Sequence, residues 1–234
     1  ALHAYGRSGE QPTPPINMVG DFGGGAMMLA FGMLAGLLHA GRTGEGQVVD
    51  AAMTDGSALL MSMIWGFRGM GRWSPTRGTN LLDTGAHFYD TYETSDGKYI
   101  SLGAIEPQFY AEFRAVMGLG DDAWTAQMNP ASWGPLKAEL TERFKSKTRD
   151  DWVAAFKGHE VCFAPVLDFD EALADDHNRA RGTFVEAGGV MQPAPAPRYS
   201  SSGTVEPIMA TERTDGALLA DLGFSPEEIA ALGH

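Results

Sequence analysis

Basic side chains are scarce in this 234-residue sequence: 17 Lys and Arg stand against 30 Asp and Glu, a net charge of −13. Such an acid excess repels a polyphosphate backbone and an anionic bilayer, which argues against nucleic acid and membrane surface as partners. It also poses a question for any small anionic ligand, which needs local cations. Cysteine is nearly absent. Cys162 alone builds no disulfide framework and suits a reducing compartment, so a cytoplasmic location is expected. No metal-ligand pattern is present, because the six histidines (His3, His39, His87, His159, His177 and His234) are scattered with no i, i+4 pair. There is no G-x-S-x-G elbow and no Walker loop. Gly23-Gly24-Gly25 superficially suggests a dinucleotide fingerprint, but Met28 occupies the place of the last glycine. No charged and apolar leader follows Ala1, so no signal peptide is read.

What is there begins with one long apolar run. Residues 22–40, FGGGAMMLAFGMLAGLLHA, carry no Asp, Glu, Lys or Arg and are apolar all round, as in a helix buried in a protein or a membrane. As a helix they span about 28 Å, at the lower limit for a bilayer. Five glycines, His39 and the lack of a second such run favour a buried core helix, with Gly41 as its stop. Gln47–Asp50 reads as a strand or extended connector, and a second apolar helix is expected over about 51–67. Residues 68–85, rich in Gly, Pro and Arg, read as a crossing segment. His87–Leu102 carries the clearest β signal, with Asp96-Gly97 as a type I′ hairpin turn. Helices are expected after Glu106-Pro107, over about 135–147 and 149–157, and at the C-terminus, where Ser225-Pro226-Glu227-Glu228 forms a capping box. A strand is read from Val161, and Gln192–Pro197 as an extended linker.

Three features could carry chemistry. Asp21 precedes the glycine run at the start of the apolar helix, where it serves as a plain cap or, held ionised by free amides and the helix dipole, as a base acting on an acidified carbon. Glu106 repeats the arrangement, although Glu is a weak cap. Of the 12 methionines, Met27, Met28 and Met33 stand on the first apolar helix and Met53, Met61, Met63 and Met70 around the second, as either core packing or a deformable surface for acyl chains of varied shape.

Val19-Gly20-Asp21-Phe22-Gly23-Gly24-Gly25, followed at helix length by Gly41-Arg42-Thr43-Gly44-Glu45-Gly46-Gln47-Val48-Val49-Asp50, closely resembles the family III CoA-transferase superfamily. Gly103-Ala104-Ile105-Glu106-Pro107-Gln108-Phe109-Tyr110 is similar to its racemase branch and lacks the glycine-rich loop of formyl-CoA transferase-like members. The resemblance runs along essentially the whole chain. It implies an α/β fold: the remainder of a Rossmann-like, CoA-binding large domain over 1–70, a linker over 71–86, a smaller α+β domain over 87–190, and a linker with returning C-terminal helices over 191–234. Members form interlocked homodimers, which implies Asp21 and Glu106 meeting across subunits.

The activity implied is cofactor-free 1,1-proton transfer at the carbon α to a CoA thioester, inverting a 2-methylacyl centre through an enolate. CoA is part of the substrate, and no metal is called for. Asp21 matches the family's catalytic Asp, and Glu106 the carboxylate that orients the catalytic His; Leu82, Tyr89 and Ile105 are candidates for acyl contact. The family's His stands in a Gly-His-Asp motif well upstream of the Asp. Here 20 residues precede Asp21, and His3 does not sit in such a motif. The resemblance thus implies a truncated chain, weakly active or inactive alone. Two other readings remain, a transferase moving CoA between carboxylic acids and a non-catalytic assembly fragment.

Overall fold

The computed structural model describes residues 1–203 and 215–232, so Gly233 and His234 lie outside the described residues. Two compact units divide the chain, Ala1–Val166 and Leu167–His234.

In the first unit, a π-helix over Met18–Ala26 runs directly into α1 (Met27–Thr43). Asn17, not Asp21, occupies the cap position, and Asp21 is the fourth residue of the π-helix. Four of the nine π-helical residues are glycine, which removes the side-chain crowding that would oppose the wider turn. The helix also passes Gly41 and ends at Thr43, because Gly44 supplies the left-handed residue (φ 79°) that turns the chain out. The expectation of a buried helix is corrected as well. No residue of α1 is buried, and Phe31, Leu34, Leu37 and Leu38 are 65–72% exposed. By length and composition alone, Met18–Thr43 could cross a membrane.

The second apolar segment is two helices, α2 (Met53–Leu60) and α3 (Ser62–Gly69). They part at Met61, where the Ser62 hydroxyl donates back to the Leu59 carbonyl (2.5 Å), a local bond that bends helices. Gln47–Asp50 is an extended connector and not a strand; Val49 lies against Gly32 and Gly36 of α1. The π-helix meets α2 with backbone on backbone: a Cβ built on Gly56 would stand 1.8 Å from the Gly24 carbonyl oxygen, and one on Gly24 would stand 2.7 Å from the Ser57 nitrogen. Only glycine fits at this crossing.

The linker region is held by Asn80, buried, and Asp83. Asp83 accepts from the Asn80 N–H (2.6 Å), the Asn80 amide (2.7 Å) and the Gly78 N–H (3.0 Å). Beyond it lies an antiparallel sheet ordered β1 (Tyr89–Glu93), β2 (Tyr99–Gly103), β3 (Phe163–Val166). The β1–β2 hairpin differs from the type I′ expectation. Gly97 alone has positive φ (72°), and Thr94 accepts from Gly97 (3.0 Å) while donating to Lys98 (2.8 Å), so the loop has three residues. Alternation puts Asp90, Tyr92, Ile100 and Leu102 inward.

Against the sheet pack α4 (Pro107–Met117), α5 (Pro130–Phe144) and α6 (Arg149–Phe156). Their helical spacing presents Tyr110, Phe113 and Met117, then Trp133, Leu136, Leu140 and Phe144, to one aromatic core with Phe88, Trp124 and Trp152. The capping box at Thr148 forms with Asp151. Asp90, its side chain 1% exposed, ties the N-terminal segment to this core: Arg7 grips it with two nitrogens (2.8 and 2.9 Å), and Lys137 adds a third bond (2.8 Å).

In the second unit, α7 (Phe169–Ala174) and α8 (Asp176–Arg181) precede a hairpin of β4 (Phe184–Ala187) and β5 (Val190–Pro193). Its turn is Gly188-Gly189, both at positive φ, a hairpin signal that sequence reading passed over. Helices α9 (Asp215–Asp221) and α10 (Pro226–Ala231) follow, the latter with the expected box between Ser225 and Glu228.

Candidate active site

Asp21 projects from the π-helix as an exposed carboxylate, and among the described residues its side chain makes no hydrogen bond or ion pair. Its position depends on the backbone of the π-helix, which in turn rests on α2 at Gly24 and Gly56.

Glu106 stands at the N-terminus of α4, as expected, with extended backbone (φ −68°, ψ 141°) and Pro107 in the first turn. Its side chain is exposed and makes no capping bond, so it is not needed to close the helix end. Its neighbour is Cys162, whose thiol is pushed up first by burial and then by the charges of Glu106 and Glu160. A thiol held protonated is a poor nucleophile.

The three acyl-contact candidates fall in different places. Leu82 lines a cavity of about 220 Å³ with Tyr5, Met61, Ile64 and Trp73. That cavity shares Met61, Ile64, Trp73 and Asp83 with one of about 390 Å³ that Trp65, Arg68 and Arg77 also border. Tyr89 instead lines a hollow of about 350 Å³ with Ser101, Gly103 and Cys162. Ile105 is half-buried against the aromatic core, its carbonyl accepting from Gln127 (2.9 Å). Among the described residues, no hydrogen bond or ion pair joins Asp21 to Glu106 within the chain.

His87 is the histidine sealed in the core. Its Nε2 pairs with the Tyr110 hydroxyl (2.8 Å), its Nδ1 has no partner among the described residues, and the Phe88, Trp124 and Tyr110 rings stand edge-on at 5.0, 5.5 and 5.6 Å. Burial, helped by the charge of Lys137, pushes its pKa down to about 4. An imidazole held neutral there is no acid at neutral pH. It does set an acid limit on stability: the unfolded chain takes up this proton below about pH 6.5 and the folded chain only near pH 4. Stability is full above pH 6.5 and falls by roughly 3 kcal/mol as the pH drops to 4. Urea midpoints from pH 7 to pH 4 check this, and His87→Phe flattens the slope; an equal slope in the variant assigns the acid sensitivity elsewhere.

Sequence reasoning missed two residues that shape the site. Gly56 interrupts a helical stretch at a cost of about 1 kcal/mol, which signals a packing reason. Gln127 sits in an irregular loop and has no sequence signal.

The family model described as CoA-transferase family III matches residues 1–209. Alpha-methylacyl-CoA racemase from Mus musculus is 41% identical over 99% of this chain, and its Homo sapiens counterpart 40% over 99%. Succinyl-CoA:mesaconate CoA-transferase of Haloarcula marismortui is 30% identical over 90% of the chain and 52% of its own length. In three dimensions the chain is similar to a CAIB/BAIF family protein from Brucella suis, with a TM-score of 0.74 at 20% identity over 94% of this chain and 59% of that one. The chain spans 62% of the length of each of the two mammalian racemases. On the family match, and in its fold, the chain belongs to CoA-transferase family III.

Proposed function

We propose that the protein epimerises 2-methylacyl-CoA thioesters by removing the proton α to the thioester and returning one to the opposite face. The observation that carries this reading is identity of 40–41% to two racemases along nearly the entire chain. Asp21 is the base on one face. The positive end of the π-helix favours the negative charge that develops on the enolate. The partner on the other face is an imidazole oriented by Glu106. It is not His87, which the core seals off. CoA enters as part of the substrate; Leu82 and Tyr89, which line separate cavities, are the candidates for acyl contact, and Ile105 packs against the core. The exposed apolar side chains of α1 are assigned to the face of a homodimer; sedimentation at twice the single-chain mass supports this, and a monomer mass contradicts it.

A second reading, transfer of CoA between carboxylic acids, draws on one observation: an exposed, unbonded Asp21 is open to acylation as well as to protonation. One mixture separates the two. The full-length protein carrying these residues is incubated in heavy water with a 2-methylacyl-CoA and a second free acid. Deuterium at the α-carbon with CoA left in place supports the racemase; CoA moved to the second acid without deuterium overturns it.

A further inference from the structure

The backbone that presents Glu106 is the short connection from β2 to α4. Two main-chain bonds shape it: Gly103 N–H donates to the Cys162 carbonyl (2.9 Å), and Ile105 N–H to the Gly103 carbonyl (2.8 Å). The carbonyls of Ala104 and Ile105 are held from outside. Gln127, 9% exposed, lies in the loop before α5, and its Nε2 donates to Ala104 O (3.0 Å) and to Ile105 O (2.9 Å). Gln127 is itself fixed, because its main-chain carbonyl accepts from the indole nitrogen of buried Trp133 (2.8 Å).

Among the described residues the Glu106 side chain has no hydrogen-bond partner, so its direction is inherited from this backbone. A planar amide that grips two successive carbonyls fixes both peptide planes ahead of Glu106. We propose that Gln127 is a positioning residue, anchored by Trp133, that sets the direction in which Glu106 meets the catalytic imidazole. This rests on the role given above to Glu106.

The test is a double-mutant cycle in the full-length protein carrying these residues, reading α-proton exchange of a 2-methylacyl-CoA in heavy water. Gln127→Met keeps the side-chain length and removes both donors. It lowers kcat about tenfold, KM stays within about twofold, and the pH profile moves toward that of Glu106→Gln. In a Glu106→Gln background Gln127→Met adds less than about a twofold loss, because the group it positions is already gone. A loss of equal size in both backgrounds, or an unchanged kcat in Gln127→Met, overturns the proposal, since a purely structural residue acts additively. If Gln127→Met does not fold, Trp133→Phe, which keeps the ring and loses the N–H, carries the same cycle at about threefold. A Glu106→Gln variant with wild-type turnover overturns the role of Glu106 and that of Gln127 with it.

Discussion

Gly56→Ala costs about 3 kcal/mol of stability and about 100-fold in turnover. The added methyl would stand 1.8 Å from the Gly24 carbonyl oxygen and 2.7 Å from its Cα, and both are backbone atoms with no rotamer to change. The π-helix must move away from α2 by more than an ångström, and Asp21 moves with it. Overpacking of side chains alone costs about 1–3 kcal/mol; a clash of backbone on backbone belongs at the top of that range. Gly66→Ala in α3 is the control. Among the described residues nothing lies within 4 Å of a Cβ at Gly66, so alanine there stabilises by roughly 0.5 kcal/mol, as expected for an unstrained helical site. Urea denaturation of the two variants checks the pair. Equal stability for both means the crossing yields without strain and Gly56 has no special place.

Asp21→Asn lowers α-proton exchange by about 1,000-fold, within the range for loss of a general base. The same change leaves stability within about 0.5 kcal/mol, because the carboxylate is exposed and, among the described residues, makes no hydrogen bond or ion pair that the fold would lose. The combination separates a chemical role from a structural one. A cap would show the reverse, a loss of about 1 kcal/mol with turnover retained. The structure already argues against the cap, since Asn17 occupies that position and Asp21 lies within the π-helix.

Local chemistry was legible in the sequence wherever both partners sit within a few residues. The box at Ser225 and the entry of α4 at Glu106-Pro107 belong to this class. The family was legible for a related reason: its motifs are continuous runs around Asp21, Gly46 and Glu106, and the match over residues 1–209 bears it out. What escaped depends on residues distant in the chain. The π-helix and its crossing pair Gly24 with Gly56, the buried carboxylate Asp90 gathers Arg7 and Lys137, and Gln127 reaches back to Ala104 and Ile105. No window of sequence contains both members of such a pair. The reading of residues 22–40 as a buried helix failed differently, because composition reports that a surface is apolar and not what covers it.

The most direct measurement starts from each pure epimer of a 2-methylacyl-CoA in heavy water, with the full-length protein carrying these residues, and follows configuration and α-deuterium together. Racemisation through an enolate requires that both epimers converge on the same mixture and that the inverted product carries deuterium, with Asp21→Asn slowing both together. Retention of configuration at the α-carbon in the presence of active protein would contradict it.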